Sequence, residues 1–367
     1  MKRKIILIIF LPKFVISGAG RSVFEMINGL DKKKFSIKVI CFGKCEYKKN
    51  LRKRIDIYEL KTNRIIFSIS KILKIIKSIE NVSQQSKLIF ISNHHYANII
   101  GFFVKRKIRK IKTIGIERTA IFELKTFFSF RDLIRKKILL LFVKLLYPYL
   151  DKIVANSNFV QNEIKEFSPK NTKVIYPPSF IKSEKNNINK FGLKIVMVGS
   201  LNKEKGINLA LKALSKINND FVLTIVGRGP EKHRLMILSE KLFGKNYKNK
   251  IKFVGHQINL RKYYLKSNLF LNTSYFEGFS NAIIDAMNYN IPVIASDCAG
   301  GNQEILRYGK YGMIFKSQDE IDLKIKICNF LKNKKNYFNK AKLAKTYIKK
   351  YSFKESIKKY SSLFEKI

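Results

Sequence analysis

Two carboxylates stand close together in a segment that reads YFEGFSNAIIDAMNYNIPVIASDCAGG, at residues 275–301. Glu277 precedes a predicted helix start, and Asp285, eight positions later, lies inside that helix. The first backbone N–H groups of the helix, near Ser280 and Asn281, lack partners within it and lie at the positive end of its dipole. This arrangement favours an anionic ligand. Carboxylates on both sides of a phosphate site could bind the hydroxyls of two sugar rings, so the segment predicts a nucleotide sugar as ligand.

Four further blocks are spread along the chain: SGAGRS at 17–22, VIYPP at 174–178, VGSLNKEKG at 198–206 and VGRGP at 226–230. In their order and spacing, these blocks and the segment at 275–301 resemble the retaining glycosyltransferases of family 4. The resemblance covers nearly the whole chain and implies an α/β protein with the GT-B fold. In that fold, two Rossmann-like domains face each other across a cleft, and a C-terminal helix crosses back to the first domain. The resemblance is specific for the family and does not identify the sugar.

The resemblance also implies roles for the residues at 277–285. Glu277 would be the catalytic residue, because it would contact the sugar hydroxyls and stabilise charge at the anomeric centre. Asp285 would hold the ribose hydroxyls, at a position where the family normally has glutamate. Backbone N–H groups for sugar and phosphate would come from Gly278, Phe279, Ser280 and Asn281. The alternative, that both carboxylates are solvated residues at a helix start, remains open.

The block at 198–206 departs from the family pattern at one position. Lys205 matches a lysine that contacts the diphosphate, whereas Ser200 stands where an arginine is expected. The change removes a planar, bidentate donor and leaves a point charge. Our hypothesis is that Arg228, in the VGRGP block, lies close enough to compensate. The alternative is that Arg228 is one surface charge among many.

The glycine-rich block at 17–22 follows the first predicted strand. Gly18 would let the backbone approach the donor closely. The family usually has a GGAE type of loop here, and in this chain Gly20 replaces the acid. An ordinary turn between strand and helix is the alternative.

Three residues are assigned to the acceptor side. His95 follows the predicted strand at 87–92, and Glu117 and Arg118 follow the strand at 112–116, where they resemble an ER pair in relatives. A structural role for His94 and His95 remains open.

No metal and no other cofactor are predicted. The sequence lacks a D-x-D pair, and we expect Lys205 and N–H groups to neutralise the diphosphate instead. The nucleotide sugar would then be a co-substrate.

Alternating apolar runs and helical patterns position these blocks. In the first half, strands are predicted at 4–10, 36–41, 87–92, 112–116, 152–155 and 174–176, and helices at 21–30, 69–80 and 131–146. This alternation indicates a parallel sheet covered on both faces. The pattern restarts with strands at 193–198, 221–226, 251–254, 269–272 and 292–296, and helices at 208–217 and 231–242. The sequence therefore predicts a first domain at 1–178, a linker at 179–190, a second domain at 191–345 and a returning segment at 346–367.

The charge of the chain is strongly positive. Lys and Arg number 74 against 26 Asp and Glu, which gives a net charge of +48. No nucleic-acid-binding module is recognisable, so no nucleic-acid partner is predicted. A lysine-rich coding bias and docking on an anionic membrane remain as explanations. The longest apolar stretch, at 138–150, is interrupted by Lys144 and Pro148 and is shorter than the ~20 residues that span a bilayer.

These observations predict a retaining transferase that moves a hexose, with UDP as the expected carrier, to a lipid-linked glycan acceptor. The pathway would be surface polysaccharide or lipopolysaccharide biosynthesis, and the protein would be cytoplasmic and peripheral on the inner leaflet. Two alternatives remain. A sugar-nucleotide epimerase of the same fold would carry more acidic and histidine groups. A catalytically weak binding protein is favoured by the departures at Gly20, Ser200 and Asp285.

Overall fold

The computed structural model describes residues 4–53, 55–62, 66–83, 85–179 and 192–367. The chain forms two compact units. Unit 1 comprises the described residues up to Pro178 together with Phe353–Ile367, and unit 2 comprises those from Ser179 to Ser352. Of the predicted linker at 179–190, residues 180–190 lie outside the described residues.

Unit 1 is built on a seven-stranded sheet in which all neighbouring strands are parallel. The strands are β1 (Ile5–Phe10), β2 (Phe35–Phe42), β3 (Asp56–Leu60), β4 (Leu88–Asn93), β5 (Lys112–Glu117), β6 (Lys152–Ala155) and β7 (Thr172–Val174). Their order is β3-β2-β1-β4-β5-β6-β7. The central strands are buried on both faces, which explains their continuous runs of Ile, Leu and Val.

Among the described residues of unit 1, five helices connect the strands: α1 (Gly18–Gly29), α2 (Ile69–Val82), α3 (His95–Lys107), α4 (Phe130–Leu146) and α5 (Asn158–Lys165). Serine side chains cap three of them, since Ser17, Ser129 and Ser157 accept hydrogen bonds from N–H groups of the first turns of α1, α4 and α5.

The predicted strands of unit 1 are confirmed within one or two residues, except that the strand expected at 174–176 lies at Thr172–Val174. Three elements were not predicted. The strand β3 is short, half-exposed and polar in part, so its apolar pattern is weak. The helix α3 starts at His95, directly after His94 in a positive-φ conformation, and α5 is only eight residues long.

Unit 2 repeats this plan with six parallel strands: β8 (Leu193–Val198), β9 (Phe221–Val226), β10 (Ile251–Phe253), β11 (Leu269–Asn272), β12 (Val293–Ser296) and β13 (Met313–Phe315). Their order is β10-β9-β8-β11-β12-β13. The helices are α6 (Ile207–Ser215), α7 (Lys232–Phe243), α8 (Arg261–Leu265), α9 (Asn281–Asn288), α10 (Asn302–Ile305), α11 (Glu320–Lys332) and α12 (Lys334–Tyr347). The strands and helices expected after residue 191 are found at these places.

The last helix, α13 (Phe353–Lys366), packs in unit 1. Tyr360, Leu363 and Phe364 lie in the same hydrophobic core as β1 and β2, and the Phe364 ring meets the Phe35 ring edge to face at 6.0 Å. The unit boundary lies at Ser352, later than the expected 345, because the turn after α12 buries Ile348 and Tyr351 in unit 2. Among the described residues, no helix combines the length and the apolar character needed to cross a membrane.

Candidate functional site

The strand order of unit 2 reverses between β8 and β11. The chain adds β9 and β10 on one side of this pair and β12 and β13 on the other. In open parallel sheets, ligands bind outside the carboxyl ends of the strands at such a reversal, because the loops that follow the two strands form a crevice there. The loops after β8 and β11 contain Lys205 and Glu277, so the strand order brings two of the predicted residues together.

Contacts between these two loops fix the backbone around Lys205. The Thr273 hydroxyl donates to the Lys205 carbonyl oxygen over 2.9 Å, and the Tyr275 N–H donates to the Glu204 carbonyl oxygen over 2.8 Å. Gly206 adopts a φ of 58°, and a Cβ atom there would lie 2.1 Å from the Thr273 carbonyl oxygen. A residue other than glycine would therefore push the loops apart.

The side chains of Lys205 and Glu277 form an ion pair. Lys205 Nζ lies 2.6 Å from Glu277 Oε1, and the Ser274 hydroxyl donates to the same oxygen over 2.8 Å. The Glu277 side chain is 12% exposed and the Lys205 side chain 25%. Ser274 was not predicted, although the polar run Asn272-Thr273-Ser274 at the end of a buried strand was a signal for it.

Electrostatics keep the lysine of this pair charged. Burial lowers the pKa of Lys205, but the neighbouring Glu277 carboxylate outweighs it, and the pKa of Lys205 is raised. Burial, with the Glu277 charge, raises the pKa of the nearby Cys298 thiol to about 12. A permanent cation and a neutral thiol thus lie beside the Glu277 carboxylate.

The backbone of Glu277 is held by the paired-glycine loop that follows β12. The Glu277 N–H donates to the Ala299 carbonyl oxygen over 2.9 Å, and the Gly301 N–H donates to the Gly278 carbonyl oxygen over 3.1 Å. Gly300 has a φ of 137°, and a Cβ atom there would lie 1.8 Å from the Glu277 carbonyl oxygen. The second loop of the motif therefore positions the predicted catalytic carboxylate.

The helix α9 starts directly after this loop, with Ser280 at its N-cap position and Asn281 as its first residue. The Ser280 side chain does not cap the helix and instead accepts a hydrogen bond from Asn272 Nδ2 over 3.3 Å. The predicted helix N-terminus near Ser280 is confirmed. Asp285 lies in the second turn and is 9% exposed. The Phe279 ring packs edge to face on Tyr351 at 5.1 Å, which leaves only the Phe279 backbone for a ligand.

Ser200 and Arg228 are neighbours in the structure. The Gly199 N–H donates to the Val226 carbonyl oxygen over 3.0 Å, and the Leu201 N–H donates to the Arg228 carbonyl oxygen over 2.9 Å. The segments 199–201 and 226–228 thus run side by side beyond the ends of β8 and β9. Both Ser200 and Arg228 are exposed. Their proximity is what the compensation hypothesis requires.

Gly18 lies in unit 1, as the first residue of α1. A Cβ atom at Gly18 would meet open space, whereas a Cβ atom at Gly20 would lie 2.0 Å from the Val15 carbonyl oxygen. The close backbone approach therefore belongs to Gly20, the position that departs from the family's acid.

The three residues expected on the acceptor side meet at the carboxyl ends of β4 and β5 in unit 1. His95 Nδ1 lies 2.7 Å from Glu117 Oε2, and Arg118 Nε donates to Asn93 Oδ1 over 2.9 Å. Their relative exposures are 2% for His95, 0% for Glu117 and 7% for Arg118. The three residues therefore lie close together, but they are buried in unit 1.

A polar network that was not predicted surrounds Glu117. Its other carboxylate oxygen accepts hydrogen bonds from the Tyr147 hydroxyl and the Asn98 amide. His95 Nε2 lies 3.7 Å from a carboxylate oxygen of Glu123. These contacts connect β5, α3 and the turns on both sides of α4, so the network fixes the packing of that edge of unit 1.

The network keeps His95 protonated. Burial lowers the pKa of His95, but the carboxylates of Glu117 and Glu123 outweigh it and raise the pKa to about 10. The pKa of Glu123 is lowered to about 2, since contact with His95 outweighs the effect of burial. Burial of Arg118 lowers the pKa of its guanidinium group.

This charge state predicts a pH dependence of stability. Folding favours protonated His95, so its contribution is complete below about pH 6.5, the ordinary pKa of histidine, and is lost as the pH rises towards 10. We expect the double variant His95→Gln/Glu117→Gln to lose less unfolding free energy over this interval than the wild type, measured by urea unfolding at a series of pH values. The exposed residue His233 provides a control, because His233→Gln should follow the wild type. Equal slopes for the double variant and the wild type would contradict the assignment.

Two family models match adjacent parts of the chain. The model described as Glycosyltransferase Family 4 matches residues 16–178, and the model described as Glycosyl transferases group 1 matches residues 179–350. The chain is also similar to the N-acetylgalactosamine-N,N'-diacetylbacillosaminyl-diphospho-undecaprenol 4-alpha-N-acetylgalactosaminyltransferase of Campylobacter jejuni. That protein is 27% identical over 282 residues, which is 74% of each chain.

Solved structures show the same fold. Sucrose-phosphate synthase of Thermosynechococcus elongatus superposes with a TM-score of 0.84 at 16% identity, over 99% of this chain and 98% of that one. The Anabaena protein HepE, solved with UDP and glucose, superposes with a TM-score of 0.80 at 16% identity, over 98% and 99% of the two chains. The structural likeness over nearly the whole length of the chain shows the GT-B fold. With two family models that together span residues 16–350, the protein belongs to glycosyltransferase family 4.

Proposed function

We propose that this chain is a retaining glycosyltransferase that moves a hexose from a UDP-sugar to a lipid-linked glycan acceptor, in surface polysaccharide or lipopolysaccharide biosynthesis. The observation that carries the proposal is the Lys205–Glu277 ion pair, which lies at the strand-order reversal of unit 2 and beside the start of α9. A cation, a carboxylate and a helix N-terminus in one place fit the diphosphate and the sugar of one donor.

Donor binding in this proposal relies on the protein's own charges. The diphosphate accepts from the Lys205 ammonium group and from N–H groups of the first turn of α9, and Arg228 adds a second cation next to Ser200. These groups stabilise the negative charge that develops on the leaving phosphate, so the proposal needs no metal ion. Asp285 accepts hydrogen bonds from the ribose hydroxyls.

Glu277 acts on the sugar. Its carboxylate is fixed by the Ser274 hydroxyl and Lys205, so it can accept hydrogen bonds from sugar hydroxyls without reorganising. Its negative charge stabilises the positive charge that develops at the anomeric carbon. The bond from that carbon to the phosphate oxygen breaks, the acceptor oxygen bonds to the same face, and the acceptor proton passes to the leaving phosphate. No protein base is required for this step.

The lipid-linked acceptor and the membrane location have two supports. The Campylobacter relative is named for transfer to a glycan on diphospho-undecaprenol. The net charge of +48 would favour an anionic surface, for which we propose the cytoplasmic leaflet.

One observation favours a catalytically weak binding protein instead. Ser200 is exposed beside the proposed diphosphate site, at a position where the family pattern has a bidentate donor. Binding and turnover must therefore be measured separately.

We expect UDP and one UDP-hexose to stabilise the purified protein against heat, by roughly 2.7 kcal/mol at a hundred times Kd. Glu277→Gln should keep the stabilisation by UDP and lower kcat by about 10²–10³, because Glu277 acts on the sugar and not on the nucleotide. The control Glu320→Gln alters a surface ion pair in the same unit and should leave both the stabilisation by UDP and kcat unchanged. Stabilisation without turnover would favour the binding protein, and no response to any nucleotide would refute the donor site.

The compensation hypothesis gives a separate prediction. Arg228→Ala should raise the donor KM about tenfold or more, since a charged hydrogen bond contributes about 1.5–3 kcal/mol. Adding Ser200→Arg to that variant should restore much of the loss. Arg234→Ala, which removes an exposed arginine of α7, is the control. An unchanged donor KM in Arg228→Ala would show that Arg228 does not contact the diphosphate.

A further inference from the structure

The helix α4 is apolar on two opposite faces. One face packs inside unit 1 through Leu139 and Val143, which are 5% and 0% exposed. The opposite face is also apolar but points to solvent, and its members are between 44% and 74% exposed. They are Phe130, Ile134, Ile138, Leu141, Phe142 and Leu145. At 100° per residue these six side chains form one stripe about 120° wide along the helix. We call it the α4 stripe.

Aromatic side chains extend the α4 stripe at both ends. Phe127, before the helix, is 38% exposed, and Tyr149, after it, is 60% exposed. The 17 residues of α4 give the stripe a length of about 25 Å. Scattered exposed apolar residues are ordinary, whereas a contiguous apolar surface of this length is uncommon on a soluble protein and marks an interaction site.

Basic residues border the α4 stripe on both sides. Arg131 and Arg135 lie towards one edge, and Lys137 and Lys144 lie along the other; all four are exposed. The single acidic residue of the helix, Asp132, is half-buried and pairs with Arg135 and Lys136 at 2.7 and 3.2 Å. The rim of the stripe is therefore positive throughout its length.

A basic groove adjoins the C-terminal end of the α4 stripe. It has a volume of about 740 Å³ and is lined by Lys105, Arg106, Lys107, Arg109, Pro148 and Tyr149. Tyr149 belongs to both features, and its ring contacts Phe102 of α3 at 5.5 Å. The groove therefore places further cationic groups next to the C-terminal end of the stripe, where they could contact phosphate groups of a membrane surface.

We propose that the α4 stripe, its basic rim and the adjoining groove form the surface by which this protein docks on an anionic phospholipid bilayer. The proposal deepens the proposed function and rests on it for the lipid-linked acceptor. A helix with an apolar face, basic flanks and too little length to span lies in the plane of the interface. The stripe itself offers no polar group for directional recognition of a protein, and its border carries one sign of charge, which complements an anionic surface.

The overall charge alone predicts a different behaviour. Lysines spread over the whole surface would hold the protein near anionic vesicles without burying any particular side chain, and salt would remove it. Docking through the α4 stripe requires its apolar side chains to enter the bilayer. Insertion at one defined helix is therefore what separates the two explanations.

The absence of tryptophan from the sequence allows a site-specific test. In Leu141→Trp, the new indole should shift its emission to the blue and become protected from iodide when vesicles of phosphatidylcholine and phosphatidylglycerol are added. Pure phosphatidylcholine should give a much smaller effect. The matched control is Ile237→Trp, because Ile237 is also 56% exposed but lies on α7 in unit 2. An unchanged Leu141→Trp spectrum, or equal shifts in both variants, would overturn the proposal.

Vesicle co-sedimentation provides the complementary test. Lys137→Glu/Lys144→Glu should weaken binding to the anionic vesicles by about twenty-five-fold or more, since each basic residue at the surface contributes a factor of about five. The control Lys245→Glu/Lys248→Glu changes the net charge by the same amount, at exposed positions of unit 2, and should weaken vesicle binding much less. Ile138→Glu/Leu141→Glu should abolish insertion. Equal losses in the two lysine pairs would assign the binding to bulk charge.

Stabilisation by UDP keeps this test separate from the proposed function. The variants with weakened vesicle binding should still be stabilised by UDP, because α4 lies in unit 1, whereas Lys205 and Glu277, which are proposed to bind the nucleotide sugar, lie in unit 2. A protein that binds UDP but not vesicles would refute the docking surface alone. Sedimentation that shows a dimer, dissociated by Ile138→Glu/Leu141→Glu, would assign the stripe to a second copy of the chain and equally refute it.

Discussion

The strand order and the loop contacts of unit 2 position one ion pair, between Lys205 and Glu277. It exists because β8 and β11 are neighbours, so that the loops after these strands bring together two residues 72 positions apart in sequence. Thr273 and Gly206 fix the loop that holds the lysine, and Gly300 fixes the loop that holds the carboxylate. Glycine is required at both positions because a Cβ atom would collide with a backbone carbonyl. The pair thus keeps a cation and a carboxylate fixed and mostly buried before any ligand arrives.

Unit 1 uses the same parallel architecture differently. At the carboxyl ends of β4 and β5, His95 and Glu117 are paired with each other and buried, with Tyr147 and Asn98 completing the network. Such a network specifies packing, since breaking one member would leave an uncompensated charge inside the unit. The unusual surface of unit 1 is instead the outer face of α4, where apolar side chains are exposed although a buried face already holds the helix in place.

The parallel sheets, the helix start at Ser280 and the meeting of Lys205 with Glu277 follow from sequence signals that act locally: apolar runs, glycine turns and motif order. Ser274 was missed because its role depends on a contact with Glu277 that spacing does not reveal. The sequence left an acceptor-side role and a structural role open for His95 and did not predict the burial of Glu117, since polar residues after a strand are as compatible with a network inside the domain as with a binding loop. The α4 stripe was obscured because a helix that is apolar on both faces has weak periodicity, and only the packed structure shows which face remains exposed.

The most direct test of the account is calorimetric titration of UDP and of uridine into the wild type and into Lys205→Met. If Lys205 neutralises the donor diphosphate, the wild type binds UDP, and Lys205→Met binds it about tenfold or more weakly, since a charged hydrogen bond contributes about 1.5–3 kcal/mol. Uridine, which lacks the phosphates, should bind both proteins weakly and with the same affinity. Equal UDP affinity in the two proteins would contradict the account, because the ion pair would then have no part in binding the donor.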